Sequence, residues 1–238
     1  MHDAIPDRRR FLRVVSTVGA DLSTAGFAVP QVFAAEKEKK VEANEDLMRE
    51  HGVLRRALLV YRAAADRLRS DPGKVPADVL TRTARLFRAF GEDYHERKLE
   101  EQFIFPAVRK LKSAAAAYPD VLQKQHDRGR ELTDYVLEVT KNGSIASSNA
   151  APLAHALSSF ELMYEHHTAR EDTIVFTAWK DALSRKAYEE MSEKFEQIEK
   201  QSFGHDGFDD AVQQIAAIEA DMGISDIAQF TIAPPSTK

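Results

Sequence analysis

His95-Glu-Arg-Lys-Leu-Glu100-Glu101-Gln-Phe-Ile-Phe105 and His167-Thr-Ala-Arg-Glu171-Asp172-Thr-Ile-Val-Phe176 are two versions of one motif. In each, a histidine precedes an acidic pair by about one helical turn, and a phenylalanine follows five residues after the first acid. A lone histidine stands 44 residues before the first motif (His51) and 41 before the second (His126). Residues one turn apart on a helix share a face. A helical protein built this way can bring four imidazoles and two carboxylates to a buried pair of metal ions. Imidazole suits iron, zinc, copper and nickel, and a carboxylate adds hard oxygen donors that can bridge two ions. Taken singly, a core histidine is more often a hydrogen-bonded structural residue, and a helical glutamate is more often solvated surface. The coincidence of four histidines on four separate predicted helices, two of them followed by an acid, favours ligands.

The two copies differ by one residue. His167 and Glu171 are four apart and share a helical face, whereas His95 and Glu100 are five apart and would lie about 140° apart in a regular α-helix. Aligning Phe105 with Phe176 pairs Glu100 with Glu171, so one extra residue sits between His95 and Glu100. Leu99, at the regular position, cannot bind metal. A π-turn absorbs one extra residue and favours functional sites, which predicts a bulge around Arg97–Glu100. Glu96 and Glu101 are reserve candidates for the carboxylate.

Apolar spacing predicts the helices that carry these residues. The first runs from about Glu45 to Leu68, with Asn44 as N-cap and Ser70-Asp71-Pro72-Gly73 ending it. The second runs from about Pro76 to Leu111, the third from Pro119 to Thr140 and the fourth from Pro152 to Leu183. Short links between four long helices predict an all-α, up-down-up-down four-helix bundle over residues 44–184. Residues 185–238 read as a helical C-terminal extension, with helices over about Ala187–Gln201 and Phe208–Met222 and an irregular end.

The 238 residues suffice for one good core. A net charge of −5 with no basic block gives no sign of nucleic acid binding. The absence of cysteine excludes disulfides and thiolate metal sites. Residues 1–35 resemble an export signal: a basic start, a weakly charged middle, and small residues at Ala34-Ala35. Within it, Arg8-Arg9-Arg10-Phe11-Leu12 resembles the twin-arginine signal, which implies a periplasmic or otherwise exported bacterial protein. Residues 36–43 read as a solvated linker, and no membrane span is expected in the mature chain.

Stretches of this chain resemble the hemerythrin-like (HHE cation-binding) family. Glu45-Asp-Leu-Met-Arg-Glu-His51-Gly-Val-Leu54 is similar to its first helix, and Tyr94-His95 through Glu100-Glu101 to Phe105-Pro106 to its second. Gln125-His126-Asp-Arg-Gly-Arg130 is similar to the third, and His167 through Glu171-Asp172 to Phe176 to the fourth. The resemblance implies a non-haem di-iron centre bridged by two carboxylates, with His51, His95, Glu100, His126, His167 and Glu171 as ligands. Zinc and manganese also use such donors. Oxygen-carrying hemerythrins hold a fifth histidine where this chain has Arg130, which leaves a coordination position for water, a substrate or a side chain such as Glu96.

These readings predict a protein that binds O₂, NO or peroxide for redox chemistry or sensing. A di-iron oxidase or peroxide-removing enzyme, and a non-catalytic metal store or structural bundle, are the alternatives. Phe103, Phe105, Phe176 and Trp179 are candidates for an apolar surround that would limit solvent access. His2, His155 and His205 are not expected at the centre, and His166 is at most a neighbour of a ligand.

Overall fold

In the computed structural model, residues 41–235 are described, and their regular structure is entirely helical. The export reading of residues 1–35 therefore lies outside the described residues. The first long helix is α1 (Ala43–Ser70). The second begins as α2 (Ala77–Leu86), continues as a π-helix (Phe87–Ile104) and ends as α3 (Phe105–Val108). The third is α4 (Pro119–Thr140). The fourth is α5 (Ser147–Arg170), followed by a π-turn (Glu171–Val175) and α6 (Phe176–Asp181). Two further helices, α7 (Arg185–Phe203) and α8 (Gly207–Met222), complete the chain before a short 3₁₀ turn at Ile227–Phe230.

The long π-helix has a cause legible in its buried positions. Phe87, Gly91, His95, Glu100 and Ile104 are all buried, at intervals of four or five residues. In an α-helix at about 100° per residue, those positions would drift by roughly 260° around the axis. A π-helix, with its i→i+5 bonds, holds them in one row. The predicted bulge at Arg97–Glu100 lies within this segment, which extends through eighteen residues rather than one turn. The Phe105 N–H closes the segment on the carbonyl of Glu100, five residues back.

Several boundaries differ from the sequence reading. Asn44 is not the N-cap of α1; Glu42 holds that position, and Asn44 lies inside the helix. There the Asn44 backbone N–H donates to Tyr188 Oη and its side-chain amide donates to the Phe176 carbonyl, so it ties α1 to distant elements instead of capping it. Pro152 lies inside α5, which starts five residues earlier at Ser147. A proline so near a helix start costs one backbone bond without breaking the helix.

α1 packs along α5, α2 against α4, and the π-helix against both α1 and α4. The C-terminal extension is part of this packing: α8 lies against α1 and α2, and α7 against α1 and the π-helix. Ser184 and Asp206 cap α7 and α8 through hydrogen bonds from Ala187 N–H and Asp209 N–H. Gly204, at φ 76°, ends α7 in the left-handed conformation that glycine adopts readily. Part of the core is aromatic. Tyr61, Phe87, Phe160 and Tyr164 stack edge-to-face and offset, with ring centroids 4.8–6.5 Å apart.

Gly129 is a buried glycine in the interior of α4, a placement that costs about 1 kcal/mol relative to alanine. A Cβ there would collide with the hydroxyl of Tyr164. The helix gives up propensity to seat that hydroxyl.

Glu92 is fully buried on the π-helix; Thr133 Oγ1 donates to it and Arg88 Nε lies 2.7 Å away. Burial pushes its carboxyl up to about 7, a rise limited by the Thr133 hydrogen bond. The folded state therefore binds this proton more tightly than the unfolded chain, whose value is 4.5. The associated stability is fully present below 4.5 and is lost as pH rises through 7. Glu92→Gln keeps the acceptor for Thr133 and removes the charge. At pH 8 the variant is expected to be more stable than wild type by up to about 3 kcal/mol, with little difference near pH 4. Chemical denaturation at the two pH values checks this, and a variant less stable than wild type at pH 8 would contradict it.

Candidate metal centre

All six predicted ligand side chains converge in the interior, and none is more than 3% exposed. They form two imidazole pairs: His51 and His95 have their Nε2 atoms 3.0 Å apart, and His126 and His167 have theirs 3.1 Å apart. Glu100 lies between the pairs, with Oε1 3.3 Å from His95 Nε2 and Oε2 3.2 Å from His126 Nε2. Glu171 also reaches both pairs, with Oε2 3.0 Å from His167 Nε2 and 3.5 Å from His51 Nε2. Glu100, His126, His167 and Glu171 can jointly hold one ion, and His51, His95 and Glu100 a second.

The backbone explains how two unequal spacings produce one geometry. The π-helix brings Glu100 onto the face of His95 across five residues. His167 and Glu171 reach the same relation across four residues, because α5 is regular up to Arg170. A π-turn follows, and the Phe176 N–H bonds to the Glu171 carbonyl just as Phe105 bonds to Glu100. This second π-turn was not expected from the sequence, since the motif around it has regular spacing.

Each imidazole turns its Nδ1 away from the centre to an acceptor supplied by another helix. Glu50 of α1 meets His95 Nδ1 at 2.7 Å, and Glu101 of the π-helix meets His126 Nδ1 at 3.0 Å. Gln125 of α4 meets His167 Nδ1 at 3.0 Å, and Asp172 meets His51 Nδ1 at 2.7 Å. The four contacts close a ring around the bundle. With Nδ1 donating its proton to these oxygens, every Nε2 presents a lone pair to the interior. Arg55 pairs with Asp172, Tyr94 donates to Glu50, and Arg130 pairs with Glu101.

Glu96 and Glu101 occupy positions apart from that of Glu100. Arg130 Nη2 binds both, at 3.1 Å for Glu96. Glu101 is directed at the Nδ1 side of His126, and Glu96 Oε2 is 3.9 Å from that nitrogen. With His126 they form a further three-residue cluster, into which the Arg130 guanidinium already reaches.

Two of the four proposed aromatic neighbours border the centre. Phe105 stacks on His126 at 5.3 Å and Phe176 on His51 at 5.4 Å. Trp179 stacks instead on Phe195, and Phe103 also packs against Phe195, so both belong to the junction with α7. Indole and phenyl rings at these positions bury apolar area under the extension rather than enclosing the ligands. His155, His166 and His205 are exposed, and His166 Nδ1 contacts Arg170.

The electrostatics are those of carboxylates buried against imidazoles. Burial opposes the charge on Glu100, but His95 and His126 hold its carboxyl well below the usual range. Burial and the nearby Glu100 charge push Glu171 well above that range. Burial and His126 lower His167 to about 3. None of the four carboxylate oxygens of Glu100 and Glu171 has a hydrogen-bond partner. Buried carboxylates without donors are costly, and cations between them offset that cost. The donor set therefore fits a pair of cations.

The residues missed in the sequence lie beside those that were found. Glu50 precedes His51, Gln125 precedes His126, Glu101 follows Glu100 and Asp172 follows Glu171. A polar residue adjacent to each ligand was the available signal, although each serves a histidine on another helix.

The family model of the hemerythrin HHE cation-binding domain matches residues 42–179. Uncharacterized proteins of Mycobacterium bovis and of two Mycobacterium tuberculosis strains are 45% identical over 197 residues, covering 82% of this chain and 76% of each relative. No solved structure matches the chain. A metal-binding constellation of buried histidines and glutamates, within a helical domain that the family model covers, places this chain in the hemerythrin HHE cation-binding family.

Proposed function

We propose that this protein holds a non-haem di-iron centre that interacts with O₂, NO or peroxide in redox chemistry or sensing. The observation that carries the reading is the set of four buried carboxylate oxygens of Glu100 and Glu171 that accept no hydrogen bond and lie between two imidazole pairs. His51 and His95 would hold one ion and His126 and His167 the other, with Glu100 and Glu171 placed to reach both imidazole pairs. Imidazole and carboxylate donors suit iron, and the family resemblance favours it over zinc or manganese. Iron bound there supplies one-electron redox steps and a place for a small ligand.

The chain's own residues determine how that ligand is treated. The ring of Nδ1 acceptors fixes each imidazole's tautomer and orientation. Phe105 and Phe176 cover the rings of His126 and His51 and limit water at the centre. Arg130 balances the charges of Glu96 and Glu101 beside His126, where a fifth imidazole would otherwise stand. An up-down-up-down order of the four long helices accompanies this reading. Export through the Arg8-Arg9-Arg10-Phe11-Leu12 segment is likewise proposed. No helix among the described residues is long and apolar enough to cross a membrane.

Metal analysis of freshly purified protein tests the central reading: about two irons per chain are expected. Zinc in their place, or fewer than two irons, would contradict it. His167→Ala and Glu171→Ala are each expected to lose bound metal, and full metal content in Glu171→Ala would refute its role as a bridge. For the Nδ1 ring, Asp172→Asn and Glu50→Gln are expected to weaken iron binding by about 10–100-fold. Competition against a chelator measures that change while circular dichroism reports the fold. Unchanged affinity in both variants would remove the ring from the account. A reporter enzyme fused to residues 1–40 tests export: Arg8→Lys with Arg9→Lys should retain the reporter inside the cell, and continued export would refute the twin-arginine reading.

A further inference from the structure

Tyr164 is a buried phenol whose surroundings exceed the needs of packing. Its ring lies 5.3 Å from the imidazole of His167, centroid to centroid. Its hydroxyl donates to Glu96 Oε1 at 2.7 Å, and Glu96 Oε2 accepts from Arg130 at 3.1 Å. Tyr164 and Glu96 are each 1% exposed. Gly129 makes room for the hydroxyl, since a Cβ there would strike it. A phenylalanine at this position would keep the ring contacts with Phe87 and Phe160 and would need neither the glycine nor a buried carboxylate.

Tyr94 provides a comparison within the same molecule. Its hydroxyl donates to Glu50 Oε1 at 3.0 Å, but the other oxygen of Glu50 already holds His95 Nδ1 at 2.7 Å. Protonating Glu50 would loosen a ligand. Glu96 carries no hydrogen bond to a ligand histidine, and Arg130 supports its charge. Tyr94 packs against Phe90 and Phe203, whereas Tyr164 touches a ligand ring directly.

We infer that Tyr164 is a one-electron donor to the metal centre, with Glu96 as the acceptor of its proton. The inference rests on the di-iron reading and names hydrogen peroxide as the oxidant. Peroxide takes up two electrons, one from ferrous iron and one from Tyr164, and two protons from solvent. Its O–O bond breaks and it leaves as two waters. The O–H bond of Tyr164 breaks, its proton moves to Glu96, and a neutral phenoxyl radical remains. The electron that Tyr164 supplies is one that the ligand imidazoles do not lose, so the tyrosine guards His126 and His167 against oxidation.

The test uses the full-length, iron-loaded protein, reduced to one ferrous ion per centre, mixed with hydrogen peroxide and frozen for electron paramagnetic resonance. Wild type is expected to give an organic radical whose hyperfine pattern collapses when its tyrosines are ring-deuterated. Tyr164→Phe should lose the signal, and Tyr135→Phe, at a half-buried tyrosine remote from the Nδ1 ring, should keep it. Peptide mass spectrometry supplies a second readout: oxygen addition at His126 and His167 should rise in Tyr164→Phe. The deuterated wild type keeps the inference falsifiable should the substitution disturb folding. Two irons per chain with no tyrosine radical, or with the same signal in Tyr164→Phe, would overturn this inference and leave the di-iron reading intact. A wild-type chain that fails to hold two irons would overturn both.

Discussion

The rest of the structure depends on two buried carboxylates that the protein does not satisfy by itself. Glu100 and Glu171 lie wholly inside the bundle with no hydrogen-bond donor on any of their four oxygens. Burying such groups costs several kcal/mol unless an opposing charge is present. Protons on His95 and His126 hold the charge of Glu100 but leave Glu171 raised well above the usual carboxylate range, and an imidazole that gives up its Nε2 proton offers a lone pair to a cation instead. Nε2 atoms facing one another at 3.0 and 3.1 Å either share a proton or turn to a common cation, and a cation held by each pair takes the place of that proton. Imidazoles and carboxylates thus require the same thing.

The helices are arranged to keep that requirement in force. Glu50, Glu101, Gln125 and Asp172 pass the Nδ1 hydrogen bonds from helix to helix, so shifting one helix disturbs the orientation of a histidine on another. Phe105 and Phe176 reinforce two of these links, stacking on the same rings that Glu101 and Asp172 hold. The C-terminal helices act from outside. Tyr188 and Ser192 of α7 accept hydrogen bonds from the backbone at the start of α1, and Phe203 packs on Tyr94, whose hydroxyl holds Glu50. A segment that carries no ligand therefore positions the first helix and a part of its ring.

Much of the site was legible in the sequence, because its ligands are repeated. Overlaying His95…Phe105 on His167…Phe176 selects Glu100 from three candidate acids, and the structure places Glu100 between the imidazole pairs while Arg130 engages Glu96 and Glu101. The same overlay exposes the extra residue that the π-helix absorbs. The length of that helix was hidden: its four- and five-residue period becomes visible only once the buried face is known. The Nδ1 acceptors were hidden for a related reason, since a polar residue beside a predicted ligand in sequence serves a histidine 25 to 121 residues removed only after the helices pack. Trp179 and Phe103 were misplaced because apolar spacing marks a buried face without saying what covers it, and here α7 does.

X-ray absorption and Mössbauer spectroscopy on the ⁵⁷Fe-loaded protein test the bridged pair most directly. One coupled di-iron species is expected, with imidazole and oxygen scattering from the nearest atoms and a metal–metal vector at about 3.5–4 Å. Uncoupled iron with no metal–metal vector would contradict the claim that Glu100 and Glu171 hold two ions together.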